Sequence, residues 1–450
     1  MPVRRGPLVN PLAARADAAA QCCATLPPDM GMHGRGGKRS RGVGGEARTI
    51  SLAVAALGLG LAGCTKVVEP PPHPTAPRVH VLPGPSVKPS ETETPAQDSP
   101  EIARVPCPAQ EDLLDASDKA LDSKAYDAAL SCAEDALLDD PESAPAEQAR
   151  GAALAALGRV EEARLAYTHA LALDPDDPLI LLDAAELYLT RGDVTRELDE
   201  IALEYARRGE RRARRRRPEL VEELDLFQGM AFNDLGRSQE AVTKLGEALE
   251  HDPNDLDARY EHAVALFELC RFAEAKADLE RFLADRPEDA YGHHELGLTL
   301  ERLDEGRAAK AELDRATQLD REAFPTPLPV TMAEFKSMVD SAVNGLPKPM
   351  RDDLAKVKLS VEEMPELSDL TGDDPPLSPT ILGLFRGDPL GQEEEDGSGE
   401  PRAILLYRRN LVRAVRTREE LAKQVKVTLW HELGHLRGAD DDELRLRGLE

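Results

Sequence analysis

The sequence predicts a mainly α-helical protein, in which a solenoid of paired helices is followed by a small α+β domain and preceded by a disordered tether. Ala, Leu, Glu, Asp and Arg dominate the chain and aromatic residues make up only 4%, which is typical of helices packed through small side chains. A pattern recurs every 34 residues through the middle of the chain, for example from Pro141 to Pro175. Apolar strand-like segments occur only near the C-terminus.

The overall charge limits the classes of partner. The formal net charge is -28 and the isoelectric point is about 4.8. A general nucleic-acid binder needs an excess of clustered Lys and Arg to neutralise phosphates, so we expect no nucleic-acid partner. Six cysteines in 450 residues do not make a disulfide scaffold, and each one needs its own explanation.

The front of the chain has the layout of an export signal. Residues 49–63, TISLAVAALGLGLAG, form an apolar run that is too short to span a bilayer comfortably, and four basic residues precede it. The basic region is unusually long, so Met30 and Met32 are alternative start sites. The competing interpretation is a short buried helix.

The apolar run ends in Leu61-Ala62-Gly63-Cys64, which resembles the bacterial lipobox. The resemblance implies that the Cys64 thiol is lipidated and becomes the mature N-terminus. We therefore assign residues 1–64 to a signal and lipobox region. The chain is expected to be exported and anchored by lipid to the bacterial cell envelope, on the periplasmic side or at the cell surface.

Residues 65–108 are rich in Pro, Ser and Thr and predict an extended linker. So few apolar side chains cannot offset the entropy of ordering, and prolines favour polyproline II conformations. A spacer from the membrane is the favoured interpretation, and a ligand for a proline-binding domain is the alternative. In an oxidising compartment Cys107 and Cys132 can form a disulfide or stay free. We expect Cys270 to be a small buried residue.

Residues 109–328 contain a repeated pattern, and each unit ends in a similar short sequence, which is DDP, DP, DRP or LDR. The last residue of each such sequence, called its mark, is Pro141, Pro175, Pro253, Pro287 or Arg321. Alanine stands twelve residues before every mark and a small residue stands twenty-four before it. The small residues are Ser117, Gly151, Gly229, Ala263 and Gly297. Such positions are needed where two helices approach closely.

These offsets resemble the tetratricopeptide repeat, a helix-turn-helix unit of 34 residues. The 78-residue step between Pro175 and Pro253 holds one further unit, whose second helix is lengthened by residues 205–218, YARRGERRARRRRP. We therefore count about six units. The resemblance implies a module that binds a protein partner; the alternative is a plain spacer. The basic run Arg207–Arg217 predicts a solvated helical extension, with an acidic docking surface as the alternative.

The pattern changes in residues 329–450. Residues 331–347 predict an amphipathic helix, while VKLSVEEMP, ILGLFRG and RAILLYRR predict strands. One long helix then opens at Thr417, with Glu420 three residues on as in a capping box, and Gly438 ends it. The AILLYRR strand beside this helix is expected to offer an edge for an extended substrate.

A candidate metal site lies within the long helix, in the sequence WHELGHLRG. His431 and His435 are four residues apart, so both imidazoles project from one face and can share a metal ion. Glu432 borders that face. A zinc site that keeps an open position uses three protein ligands. Asp441 is well placed to be the third, and Asp440 and Asp442 are its rivals.

Residues 332–449 also resemble the small bacterial zincin-like metallopeptidases. The resemblance rests on FKSMVDSAVNGLP, VKLSVEEMP, ILGLFRGDPL, AILLYRRNL and the HExxHxxGxxD pattern. It implies that His431, His435 and Asp441 bind Zn²⁺ and that Glu432 is the catalytic base, acting on a zinc-activated water that hydrolyses a peptide bond in a protein or peptide substrate. Two alternatives stay open. One is a non-catalytic interaction lipoprotein with a structural or vestigial zinc site, and the other is hydrolysis of a non-peptide bond.

Overall fold

The computed structural model describes residues 105, 107, 112–191, 195–372, 374–391 and 401–449. Their first part consists of twelve helices arranged as six successive pairs. The pairs are α1 (Leu113–Asp122) with α2 (Tyr126–Asp139), α3 (Ala144–Ala156) with α4 (Val160–Leu173), α5 (Pro178–Thr190) with α6 (Arg196–Arg216), α7 (Val221–Asp234) with α8 (Ser238–His251), α9 (Leu256–Glu268) with α10 (Phe272–Asp285), and α11 (Ala290–Arg302) with α12 (Gly306–Leu319).

The small residues of the repeat are located where the two helices of a pair approach each other. A β-carbon added at three of the glycines would meet a side chain of the second helix well inside van der Waals contact. The separations would be 2.7 Å from Gly151 to Tyr167, 2.3 Å from Gly229 to Leu245 and 2.6 Å from Gly297 to Leu313. The first helices of successive pairs also contact one another, which builds a continuous inner layer. The predicted helical solenoid is confirmed.

Helix α6 is longer than its counterparts, with 21 residues where the other second helices have 14. Its buried residues include three small ones in the basic part of the helix, namely Ala206, Gly209 and Ala213. The arginines lie on the outer face, where Arg212 contacts Asp176 at 2.8 Å. The basic run therefore extends the helix, and its small residues pack it against α7.

The C-terminal part is a small α+β unit around a three-stranded sheet. Its elements are α13 (Met332–Asn344), α14 (Lys348–Leu354), β1 (Lys358–Glu362), α15 (Leu367–Leu370), β2 (Gly383–Arg386), β3 (Ala403–Tyr407), α16 (Arg408–Arg413), α17 (Arg418–Leu436) and α18 (Asp441–Leu446). The strand order is β1-β3-β2, with β1 parallel and β2 antiparallel to β3. The predicted fold class is thus confirmed for the described residues.

The strand order corrects one expectation. The AILLYRR segment forms β3, the middle strand, and both of its edges are already paired. It offers no free edge to a substrate. The strand that contacts α17 near the candidate site and keeps one edge unpaired in this sheet is β2.

Helices α13 and α17 cover one face of the sheet. Strand residues Ile404 and Leu406 point to this face, where Ile404 packs with Leu429 and Leu433, and Leu406 packs with Val425. Because side chains alternate along a strand, Leu405 and Tyr407 point to the opposite face, and both are also buried.

Cys107 and Cys132 form a disulfide, which is one of the two states left open by the sequence, and Cys270 is a half-buried free thiol. The signal region, Cys64 and the linker apart from residues 105 and 107 lie outside the described residues. No helix within the described ranges is long and apolar enough to cross a membrane.

Candidate metal centre

The long helix α17 carries most of the candidate site and has well-defined ends. Thr417 and Glu420 form a capping box at its start. At its end Gly438 adopts a φ of 81°, a left-handed conformation that favours glycine. The next residue, Ala439, donates its N–H to the carbonyl of Gly434 at 3.0 Å. This turn reverses the chain toward the face that bears the two histidines.

The two histidines converge through their Nε2 atoms, which lie 2.9 Å apart. The Nδ1 atom of each ring lies within hydrogen-bonding distance of a backbone carbonyl oxygen. The Nδ1 of His431 is 2.5 Å from the carbonyl oxygen of Leu449, and the Nδ1 of His435 is 3.0 Å from that of Ala439. A carbonyl only accepts, so Nδ1 is the donor in both rings, and in a neutral imidazole Nε2 then keeps a lone pair for a metal ion.

Among the acidic side chains that the structure describes, that of Asp441 lies closest to both histidines. Its Oδ1 is 3.4 Å from Nε2 of His431 and 3.2 Å from Nε2 of His435. Its rival Asp440 is the N-cap of α18, where its side chain accepts from the N–H of Glu443 at 2.8 Å. The side chain of Asp442 lies outside the described residues.

Glu432 is buried between α17 and β2, with 5% of its surface exposed. Burial raises the pKa of Glu432 to about 8; a hydrogen bond from the Phe385 backbone lowers it and the charge of Asp441 raises it. A divalent cation at the neighbouring histidines would favour the ionised carboxylate, which is the form that can accept a proton.

Gly383 allows this close contact. A β-carbon there would lie 2.8 Å from Oε1 of Glu432 and 2.7 Å from Cγ2 of Thr428. Gly383 and the carbonyl groups behind the histidines were not predicted from the sequence. A glycine inside the predicted strand ILGLFRG was the available signal for Gly383, whereas a backbone carbonyl has no sequence signal.

The three ligand atoms fit a zinc ion. Zinc bonds to nitrogen and carboxylate oxygen are about 2.0–2.2 Å, so tetrahedral ligand atoms lie about 3.3 Å apart. The distances from Asp441 to the two histidines are close to this value, and the distance between the histidines is a few tenths of an ångström shorter. Two neutral imidazoles and one carboxylate also leave a fourth position open.

A second group of acidic side chains lies in the repeat array and has a different explanation. Glu210, Asp225 and Glu247 converge, but the ammonium of Lys244 lies among them, at 3.2, 3.0 and 2.8 Å respectively. This cation neutralises the group, so we regard it as a structural ion-pair cluster.

The fold and the site define a helical-repeat protein with a candidate metal centre near its C-terminus. Residues 354–449 match the family of zincin-like metallopeptidases, and residues 144–177 and 233–296 match tetratricopeptide repeats. The chain therefore contains tetratricopeptide repeats and a C-terminal zincin-like metallopeptidase domain.

Solved structures similar to the chain are repeat proteins. YrrB, a tetratricopeptide protein with an unusual peptide-binding site, is 21% identical over 43% of this chain and 94% of its own, with a TM-score of 0.35. The type IV pilus biogenesis factor PilW is 17% identical over 46% of this chain and 91% of its own, with a TM-score of 0.40. MamA is 22% identical over 39% and 96%, with a TM-score of 0.32. No curated protein matches the chain significantly.

Proposed function

We propose that this protein is a zinc-dependent metallopeptidase that hydrolyses peptide bonds in proteins bound by its repeat array. The observation that carries the proposal is the convergence of His431, His435 and Asp441 beside the buried carboxylate of Glu432. In a zincin-like domain this arrangement combines a three-ligand metal site with a general base.

A zinc ion bound by these three residues would supply Lewis acidity toward water and the substrate carbonyl. The protein supplies the proton transfers. Glu432 accepts a proton from the attacking water on its carboxylate and then delivers it to the nitrogen of the leaving amine. Its buried position against β2 holds the carboxylate in one place during both transfers.

The repeat array supplies the protein-binding function. Its six helix pairs form a continuous inner layer of first helices, and such layers commonly hold an extended peptide or a partner helix. The partner is thus a protein or peptide, and it serves as the substrate or brings the substrate to the metal site.

We also propose that the protein is anchored to a membrane by lipid. The apolar run 49–63 followed by Cys64 supports export and lipidation at that cysteine, with the proline-rich linker as a spacer from the envelope. Incorporation of labelled palmitate into the full chain tests this. We expect incorporation in the wild type and in Cys270→Ser, and its loss in Cys64→Ser.

Purified full-length protein tests the catalytic proposal. We expect one zinc ion per chain and chelator-sensitive cleavage of unfolded proteins. Glu432→Gln should abolish cleavage while folding and zinc content persist. The control is Glu419→Gln, an exposed substitution on the same helix, which should leave cleavage, folding and zinc content unchanged. Zinc at unit stoichiometry with no turnover on varied unfolded proteins would instead support a non-catalytic interaction lipoprotein.

A further inference from the structure

The repeat array contacts the peptidase domain through a carboxylate that two arginines share. Glu301 lies near the end of α11, and its side chain is only 11% exposed. It accepts from Nη1 of Arg409 at 3.2 Å and from Nη2 of Arg413 at 2.7 Å. Both arginines belong to α16. Charge-assisted hydrogen bonds to a mostly buried carboxylate are strong, and removing one partner is costly.

Arg302, the residue after Glu301, makes a second contact between the array and the peptidase domain. Arg302 donates from Nη1 to the carbonyl of Pro365 at 2.8 Å. One repeat earlier, the thiol of Cys270 lies 4.0 Å from the carbonyl of Leu377. Pro365 and Leu377, in segment 363–382 of the peptidase domain, therefore lie against the ends of α9 and α11, the first helices of the last two pairs.

This segment leads directly to the strand beside the metal centre. Asn410 of α16 donates to the carbonyls of Pro379 and Ile381 at 3.1 and 2.8 Å. Gly383 follows and begins β2, the strand that contacts Glu432. The array thus contacts the segment that precedes this strand, while β2 itself is held by its pairing with β3.

The buried side of the sheet agrees with this arrangement. Tyr407 points away from α17 and is fully buried. Burial lowers the pKa of Arg302 in α11, and Tyr407 is among the groups close enough to oppose that shift. The face of the sheet opposite α17 is therefore buried at Leu405 and Tyr407 and is not open to solvent there.

We propose that the last two repeat pairs are docked permanently on the peptidase domain, so that the array presents a bound protein at a set distance from the metal. The inference rests on the proposed function and defines its substrate class. The enzyme acts on proteins held by the array, and short peptides that do not reach the array are cut only at a basal rate. The gain comes from the high effective concentration of a bound substrate.

The docking itself is tested without any substrate, by hydrogen–deuterium exchange of the full chain. Glu301→Lys should speed exchange in segment 363–382 and α16 by at least about tenfold, because it places three cations together at a part-buried contact. Adding Arg413→Glu should restore slow exchange. Glu305→Lys is the matched control, since it breaks the exposed 2.7 Å pair of Glu305 with Lys276 inside the array. Equal exchange in Glu301→Lys and Glu305→Lys would overturn the docking.

Substrate selection is tested with two probes, the unfolded protein β-casein and a quenched-fluorescent pool of short peptides. In Glu301→Lys we expect β-casein cleavage to fall by at least about tenfold and peptide cleavage to stay within about twofold, at unchanged zinc content. Equal losses on both probes, or no loss on either, would overturn the selection. A zinc-loaded wild type that cuts neither probe would overturn the proposed function and the selection with it, while the exchange experiment still judges the docking.

Discussion

Leu444 occupies the space that a side chain at position 434 would need. A β-carbon on Gly434 would lie 2.3 Å from Cδ2 of Leu444, which is fully buried. Gly434 is within α17, between the two histidines, and Leu444 is within α18. This contact lets α18 pack directly across α17 and brings Asp441, the first residue of α18, to the histidine pair.

Gly434→Ala should therefore weaken metal binding without removing a ligand. Leu444 is fully buried against Gly434, so we expect the added methyl group to displace it, shift α18 and carry Asp441 away from the histidines. We expect zinc affinity to fall by about 10- to 100-fold, as for lost outer support of a metal ligand. Competition with a fluorescent chelator measures it. Gly246→Ala is the control, because a β-carbon there meets nothing within 4 Å; the same loss in both variants would contradict this explanation.

The two neighbouring aspartates should respond differently to removal. Asp441→Ala removes the predicted third ligand, so zinc affinity should fall by at least about 100-fold. Asp440→Ala removes the cap of a short helix, which typically costs about 1 kcal/mol of stability, and should change zinc affinity far less. Titration of both variants with zinc decides the matter, and a larger effect of Asp440→Ala would assign the ligand to Asp440.

Glu432 should destabilise the metal-free fold as pH rises. Its pKa is about 8 in the fold, against 4.5 for the ordinary group, so the folded state holds the proton more tightly. Stability is then lost progressively between these two values, by about 1.4 kcal/mol per pH unit. In chelator-treated protein, Glu432→Gln should be more stable than the wild type by on the order of 3 kcal/mol near neutral pH and equal to it below about pH 4.5. Denaturant unfolding across this range measures the difference, and a difference independent of pH would refute the assignment.

The Cys107–Cys132 disulfide should stabilise the first helix pair. It closes a loop with a sequence separation of 25 residues and restricts the unfolded chain. We expect Cys107→Ser to lower the free energy of unfolding by about 3 kcal/mol, with Cys270→Ser nearly neutral. Thermal unfolding under oxidising conditions provides the measurement. Equal stability of Cys107→Ser and the wild type would show that the bond does not form in solution.

Local sequence patterns were sufficient for much of the fold. Small residues at constant offsets predicted the paired helices because they are needed wherever two helices touch, and Gly151 and Gly229 do lie at such contacts. The capping box at Thr417 and the stop at Gly438 predicted the ends of α17 because both act through neighbouring backbone groups. The order of the strands could not be predicted, since pairing depends on long-range contacts, and AILLYRR was wrongly expected to offer an edge.

The spacing of four residues is enough to place His431 and His435 on one face of a helix, because a regular helix leaves no other arrangement. The packing of separate elements sets which neighbouring acid lies near them, how deeply Glu432 is buried against β2, and the contact of Glu301 that joins the array to the peptidase domain. These relationships connect separate elements, and their distances follow from how the elements pack together. No spacing along the chain specifies them.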